Sequence, residues 1–332
     1  MRDIILSFPQ QFQKGTESAK DIKLAGDFDN IVICGVGGSA LPGSLLLALT
    51  DISVPVFIHR DYGLPQIASE KSLIICISFS GNTEETLSAY QKAIDKKYQP
   101  VAICAGGKLQ KMAEQNNLPV AIVPNDCLQP RFGTGYLVSA LIKILDNCGI
   151  TNNLSQEVLG IAKNLKPEIF EAQGKALAEK LADKTPIVYS SNQYKSIARI
   201  WKIKFNENAK IMAFWNYFPE LNHNEMAGLT EMKNEKIKIK NDNEKSKSFH
   251  FIILKDRQED ERIIKRMELT ADLIKEAGAE VELIEMEGET KIEKIFNCLL
   301  LGDWVSYYLA LAYDQDPAPV AIVEDFKNRL SR

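Results

Sequence analysis

The stretch NIVICGVGGSALPG, residues 30–43, decides the fold class of the first half of the chain. Its apolar run is typical of a buried strand and stops at Gly35, and a glycine-rich turn then leads into a segment that we predict to be helical over 40–49. The stretch SLIICISFSGNTEET, residues 72–86, repeats the order of strand, polar loop and helix. Because strands joined by helical crossovers pair in parallel, the pattern predicts a parallel sheet with helices on both faces.

The same alternation continues along the chain. We predict further strands at 54–59, 100–105, 119–123, 186–190, 249–255 and 280–284. We predict helices at 64–69, 83–95, 108–116, 195–208, 259–277 and 291–312, and a helical linker at 155–184. The predicted fold class is α/β, with two αβα sandwich domains that each contain a mainly parallel sheet flanked by helices. We divide the chain into domains 1–150 and 151–332, and we expect the charged segment 232–248 to form a solvated loop with a short edge strand.

Length and composition limit the class of protein. A chain of 332 residues exceeds one typical domain, and 45% hydrophobic with 25% charged residues suits a globular protein with substantial cores. A net charge of -4 gives no support to binding of nucleic acid or a membrane surface, since both favour basic residues. The N-terminus is too polar for a signal peptide, and no uninterrupted apolar run reaches the ~18 residues that span a bilayer. The six cysteines include no CxxC pair, so we expect reduced thiols and a cytoplasmic protein.

The glycine-rich turn GVGGSA, residues 35–40, has the composition of an anion-binding loop. Glycines let the backbone approach a ligand, and the following helix presents unpaired N–H groups and the positive end of its dipole. The turn also fits the dinucleotide pattern G-x-G-x-x-A, with Asp61 near the expected position of a ribose-binding acid. Taken alone, the turn is equally a candidate for a tight strand-to-helix connection that binds nothing.

The second loop, SFSGNTEET, favours a phosphate group over a dinucleotide. Ser78, Ser80 and Thr83 place three hydroxyls around Gly81 at a helix N-terminus, and Ser39 offers a fourth hydroxyl in the first loop. Hydroxyls and backbone N–H groups form a neutral cradle for a phosphate dianion, although serine and threonine are also common helix caps. Both loops follow strands of one predicted sheet, and ligands of such sheets bind at the carboxyl ends of the strands.

These two loops resemble the phosphate loops of the SIS (sugar isomerase) family. Three further segments are similar to the bifunctional phosphoglucose/phosphomannose isomerases of prokaryotes, and they extend the resemblance over nearly the whole chain: PRFGTGY at 130–136, FNENAK at 205–210 and LNHNE at 221–225. The resemblance implies two SIS-type domains and a sugar phosphate bound by Gly38, Ser39, Ser78, Ser80 and Thr83.

Four residues outside those loops are candidates for the chemistry. Glu207 is either paired with neighbouring lysines or, as the resemblance implies, the base that moves a proton between C2 and C1. His223 is either a surface residue or the group that opens the sugar ring, which in the family comes from the neighbouring subunit of a dimer. Arg131 is either a surface cation or the stabiliser of the enediolate charge. Lys327, on a C-terminal amphipathic helix, is either a helix-terminal lysine or a substrate contact.

The resemblance therefore implies a homodimeric isomerase that interconverts glucose 6-phosphate, and mannose 6-phosphate, with fructose 6-phosphate through a cis-enediol, a step of glycolysis and gluconeogenesis. Ala318 departs from the threonine that related sequences often carry, and that threonine is linked to mannose-type substrates. Three scattered histidines do not suit a zinc site, so we expect no metal and no cofactor. Two alternatives stay open, namely a sugar-phosphate sensor that binds without turnover and an isomerase of another sugar phosphate.

Overall fold

The computed structural model describes residues 1–126, 129–229 and 247–330. The chain forms two compact units, the N-terminal unit Leu6–Lys166 and the C-terminal unit Pro167–Arg332, to which Met1–Ile5 also belong. The division falls after Lys166, later in the chain than the boundary placed after residue 150. The reason is that the helix Leu154–Ala162 packs against other helices of the N-terminal unit.

In the N-terminal unit the described residues form a five-stranded parallel sheet. Its strands are β1 Asn30–Cys34, β2 Val56–His59, β3 Ser72–Ile77, β4 Val101–Cys104 and β5 Val120–Ile122. Its helices are Phe8–Ser18, Leu41–Leu49, Glu84–Asp95, Gly107–Gln115, Thr134–Asn147 and Leu154–Ala162. The strand order is β2-β1-β3-β4-β5, so the connections from β1 and β3 leave toward opposite sides. Such a switch point is where sheets of this kind bind their ligands.

In the C-terminal unit the described residues form a four-stranded parallel sheet in the order β7-β6-β8-β9. Its strands are β6 Thr185–Ser191, β7 Phe214–Phe218, β8 Phe249–Lys255 and β9 Glu280–Glu285. Its helices are Glu171–Leu181, Lys195–Lys204, Glu261–Glu276, Lys291–Ala312 and Ala321–Leu330, and the short helix Arg2–Leu6 begins the chain.

The central strands are mostly apolar because helices cover both faces of each sheet. Every residue of β1 and of β3 is buried, as parallel sheets require. The helix Lys291–Ala312 is long and apolar enough to cross a membrane, but 72% of its apolar window is buried inside the protein, as in a core helix. Five cysteines are free thiols, and Cys127 lies outside the described residues.

Most predicted elements are observed, and the exceptions have physical reasons. Residues 64–69 form an irregular segment with a turn instead of the predicted helix. The predicted helix 195–208 is α-helical only to Lys204 and continues as the π-helical turn Phe205–Ala209. Of the predicted loop and edge strand at 232–248, residues 232–246 lie outside the described residues and the last two form a turn.

Four elements are absent from the sequence predictions, and the helices Arg2–Leu6 and Phe8–Ser18 near the N-terminus are two of them. The helix Thr134–Asn147 is buried around most of its circumference, so it lacks the polar face that makes a helical period visible. The strand β7 is a half-exposed edge strand of four aromatic residues and one asparagine, and its sequence shows no apolar run long enough to stand out.

Candidate functional site

Both predicted phosphate loops lie at the switch point of the N-terminal sheet, at the carboxyl ends of the adjacent strands β1 and β3. The first loop ends in the 3-10 helix Gly37–Ala40, which leads directly into the helix Leu41–Leu49. The side chain of Ser39 is buried, and its Oγ accepts a 3.0 Å hydrogen bond from the backbone N–H of Phe79 in the second loop. The two loops are therefore tied to each other at their bases.

The hydroxyl groups of the second loop lie close together around one turn of its backbone. Ser78 Oγ and Thr83 Oγ1 are 2.9 Å apart, and the N–H of Asn82 donates to Ser80 Oγ over 3.2 Å. Gly81 has a φ of 65°, and a Cβ at this position would lie 1.8 Å from the carbonyl oxygen of Gly106, so glycine is required. The helix Glu84–Asp95 starts immediately after Thr83 and turns the positive end of its dipole toward these hydroxyls.

Arg131 lies in a short 3-10 helix, Pro130–Gly133, that packs against the first loop. A Cβ on Gly38 would come within 2.9 Å of the backbone nitrogen of Arg131, so the missing side chain lets these two segments approach each other. The Arg131 side chain is buried and its guanidinium carbon is 4.4 Å from the ring centroid of Phe132. The structure thus places the backbone of Arg131 next to Gly38 in the first loop.

Gln11 holds the Arg131 segment in place, and the sequence analysis did not find it. Its side-chain Nε2 donates to the carbonyl oxygen of Phe132 over 2.7 Å, and its Oε1 accepts from the N–H of Gly135 over 3.0 Å. The residue is 2% exposed, on the helix Phe8–Ser18. A single glutamine far away in sequence carries no local signal for this contact.

Glu207 lies on the π-helical turn Phe205–Ala209, which follows the helix Lys195–Lys204. It is half-buried, and Lys210 Nζ donates to its backbone carbonyl oxygen. Turns of this type insert an extra residue into a helix and are frequent at functional sites, because they redirect a side chain. The sequence located the residue but not the π-helical backbone that presents it.

His223 is the last residue of the 3-10 helix Glu220–His223, and its side chain is exposed. The helix between β6 and β7 runs against the direction of the strands, so Glu207, at its far end, lies at the amino end of β7. His223 follows the carboxyl end of the same strand. Glu207 and His223 therefore lie toward opposite ends of β7.

Lys327 lies on the helix Ala321–Leu330, on which no residue is buried. Its side chain is 62% exposed and Nζ is 2.8 Å from Glu324 Oε1. Surface ion pairs of this kind contribute little to stability. Within residues 1–126, 129–229 and 247–330, no group of three or more His, Cys, Asp or Glu side chains could hold a metal ion.

The carboxyl edge of the C-terminal sheet differs from that of the N-terminal sheet because two carboxyl groups lie there. Asp256, after β8, accepts hydrogen bonds from Lys294 Nζ over 2.6 Å and from the Tyr194 hydroxyl over 2.7 Å. Burial opposes ionisation of Asp256, but these bonds hold its pKa below the ordinary value. Burial raises the pKa of the nearby Glu259 to about 7. Two carboxyl groups at this edge disfavour a phosphate dianion, so the N-terminal sheet carries the better anion site.

Comparison with known proteins identifies a matching family model and full-length relatives. Residues 170–330 match the family model of the bacterial phospho-glucose isomerase C-terminal SIS domain. The chain is 38% identical to the bifunctional phosphoglucose/phosphomannose isomerase of Caldicellulosiruptor bescii, over 100% of this chain and 99% of that protein. It is 31% identical to the protein of the same name from Aquifex aeolicus, over 99% of this chain and 98% of that protein.

A further relative has a different name. The D-glucosamine-6-phosphate 4-epimerase of Sulfolobus acidocaldarius is 32% identical over 63% of this chain and 66% of its own length. Among solved structures, the C-terminal domain of glucosamine-fructose-6-phosphate aminotransferase from Francisella tularensis superposes with a TM-score of 0.71 at 15% identity. That match covers 96% of this chain and 97% of the other chain. The predicted α/β fold with two SIS-type units is confirmed.

Replacing Thr83 tests the hydroxyl cradle directly. We expect Thr83→Val to weaken the binding of inorganic phosphate about 10-fold, since a hydrogen bond to a charged group contributes about 1.5 kcal/mol or more. Thr83→Ser keeps the hydroxyl and is the matched control, with an affinity near that of the wild type. Isothermal titration calorimetry measures both, and equal affinities for the Val and Ser variants would remove Thr83 from the cradle.

Proposed function

Because this chain belongs to the family of bifunctional phosphoglucose/phosphomannose isomerases, we propose that it interconverts glucose 6-phosphate, and mannose 6-phosphate, with fructose 6-phosphate. The observation that carries the proposal is the hydroxyl-lined cradle at the switch point of the N-terminal sheet, tied to the segment of Arg131. A neutral cradle beside one cation suits a phosphoryl group on a small substrate.

In this proposal the phosphoryl group is held by the N-terminal unit. Gly38, Ser39, Ser78, Ser80 and Thr83 supply backbone N–H groups and hydroxyls, which can donate to phosphate oxygens without neutralising their charge. The contacts within the loops support the assignment, since the hydroxyls of Ser39 and Ser78 already bond to loop atoms and hold the cradle open in one shape. Pre-ordering of this kind lowers the entropy cost of binding.

Glu207 is the proposed base. Its carboxylate removes the proton from C2 of the open-chain aldose, which leaves a cis-enediolate, and returns the proton to C1 while the hydroxyl proton moves from O2 to O1, which gives the ketose. Because C2 is planar in that intermediate, reprotonation on either face yields the gluco or the manno configuration. Arg131 would stabilise the developing negative charge on the enediolate oxygen, and removal of one such donor typically costs about 3 kcal/mol of transition-state stabilisation.

His223 is the proposed acid that opens the sugar ring, and it would act in the site of a second copy of the chain. A ring-opening acid and a C2 base must both come within about 3 Å of neighbouring atoms of one sugar. Glu207 and His223 of one chain lie at opposite ends of β7. This separation supports a homodimer in which each His223 serves the Glu207 of the other copy.

Lys327 is a proposed substrate contact. Its present partner is the carboxylate of Glu324 at the surface, and a substrate oxyanion could displace an exposed partner at little cost.

Ala318 stands where the resemblance leads us to expect a threonine that is linked to mannose-type substrates. This position therefore bears on mannose 6-phosphate, the second proposed substrate. The residue before Ala318 contacts the residue that follows the π-helical turn, since the carbonyl oxygen of Pro317 accepts a 3.5 Å hydrogen bond from Lys210 Nζ.

The relative named D-glucosamine-6-phosphate 4-epimerase favours one competing function, an activity on an amino-sugar phosphate. A panel of glucose, mannose and glucosamine 6-phosphates distinguishes the two, with fructose 6-phosphate as the product measured for the first two. Binding without any turnover in the panel would instead indicate a sensor.

We also propose that the reaction needs no metal or nucleotide and takes place in the cytoplasm, as part of glycolysis and gluconeogenesis. The proposed residues supply a base, an acid and a cation, which together are sufficient for proton transfer. Five free thiols suit a reducing compartment. Activity that is unchanged in excess EDTA is the expected result.

Replacing the proposed base is the direct test of the function. We expect Glu207→Gln to lower kcat at least 100-fold with a small change in KM, because the amide cannot accept the C2 proton but keeps the shape of the side chain. The assay couples formation of glucose 6-phosphate from fructose 6-phosphate to NADPH production. Glu179→Gln, an exposed acid in the same unit, is the matched control. A wild-type rate in the Glu207 variant would contradict the proposal.

Mixing two inactive variants tests the shared site. When Glu207→Gln and His223→Ala chains exchange subunits, half of the dimers are mixed, and each mixed dimer holds one intact site out of two. Activity should return to about one quarter of the wild-type value in a closed two-fold dimer. If Glu207 and His223 of one chain serve the same site, mixing restores nothing.

A further inference from the structure

The helix Lys195–Lys204 and the π-helical turn after it lie along the core helix Lys291–Ala312. Trp201 Nε1 donates to the carbonyl oxygen of Cys298 over 3.0 Å, and a Cβ on Gly302 would lie only 2.7 Å from the same Nε1. The two helices therefore approach closely at the turn before Glu207.

Lys204 makes the next contact between these two helices. Its Nζ is 2.6 Å from Asp303 Oδ2 and donates to the carbonyl oxygen of Leu299 over 2.8 Å. The Lys204 side chain is 9% exposed and that of Asp303 is 17% exposed, so both charges are largely removed from water. A pair in such surroundings tolerates little movement, because separation would leave a buried charge without its partner.

Asn208 makes the last contact, on the other side of Glu207. It is fully buried, and its Nδ2 donates to Ser306 Oγ over 2.9 Å. Ser306 Oγ donates in turn to the carbonyl oxygen of Asp303 over 3.1 Å. The two anchor pairs, Lys204–Asp303 and Asn208–Ser306, are thus linked through one turn of the core helix.

We propose that these two anchor pairs are positioning contacts that fix the carboxylate of Glu207. They flank it in sequence, three residues before and one residue after, and each binds the π-helical turn to the same rigid helix. The turn is closed by a hydrogen bond from the N–H of Lys210 to the carbonyl oxygen of Phe205, and such wide turns persist only where surrounding contacts hold them. Because Asn208 is held inward, its neighbour Glu207 is directed toward the side of the turn that is half-exposed.

This inference rests on the proposed role of Glu207 as the base. A base that is displaced by a fraction of an ångström still lets the substrate bind but transfers the proton more slowly. The anchor pairs should therefore affect the chemical step and leave substrate affinity almost unchanged.

Ser306→Ala is the test, since it removes the acceptor of Asn208 and adds no bulk. We expect kcat to fall about 10-fold or more with KM within about twofold, in line with the sensitivity of proximity effects to small displacements. The primary isotope effect with 2-deuterated glucose 6-phosphate should rise, because proton transfer becomes more nearly rate-limiting. Ser306→Thr keeps the hydroxyl, should recover most of kcat, and serves as the second variant if the alanine variant does not fold.

Ser139→Ala is the matched control. Ser139 is also a buried helical serine, and its hydroxyl donates within its own helix in the N-terminal unit, so its loss should leave kcat and the isotope effect unchanged. Wild-type kcat and isotope effect in Ser306→Ala, together with an inactive Glu207→Gln, would overturn the positioning role while the proposed function stands. An active Glu207→Gln would instead overturn the proposed function.

Discussion

A phosphate dianion can be held by neutral donors only where backbone N–H groups and hydroxyls converge, and two adjacent parallel strands provide that convergence. The hydrogen bond from Phe79 N–H to Ser39 Oγ joins the loops that follow β1 and β3. The backbone of Arg131 comes close to Gly38, so the segment that carries this cation packs against the first loop. The assignment of a phosphorylated substrate depends on this arrangement, and the proposed proton transfer depends on the substrate being held there.

The C-terminal unit carries Glu207, the proposed base, on an irregular stretch of backbone. A regular helix would continue past Lys204, and the chain instead forms a π-helical turn held against the core helix. His223 follows the other end of β7, and the proposal that it serves the Glu207 of a second copy rests on this separation along the strand. The C-terminal unit therefore carries both side chains of the proposed proton transfer.

Much of the fold and of the candidate site could be predicted from the sequence. The features that could not be predicted depend on contacts between residues far apart in the chain. Apolar runs predicted β1 and β3, and the hydroxyls around Gly81 that the sequence singled out do lie close together. The contact of Gln11 with the Arg131 segment could not be predicted, since it joins residues more than a hundred positions apart. The anchor pairs are likewise long-range contacts, which no local pattern around Glu207 reveals.

The central claim is that a protein carboxylate carries a proton between C2 and C1, and deuterium exchange tests it most directly. Glucose 6-phosphate and fructose 6-phosphate are equilibrated with the enzyme in D₂O over many turnovers, and the two carbons are examined by NMR. A carboxylate that exchanges its proton with solvent during some turnovers predicts accumulation of deuterium at C2 of the aldose and at C1 of the ketose. Full interconversion with protium retained at both carbons would indicate direct hydride transfer and contradict the account.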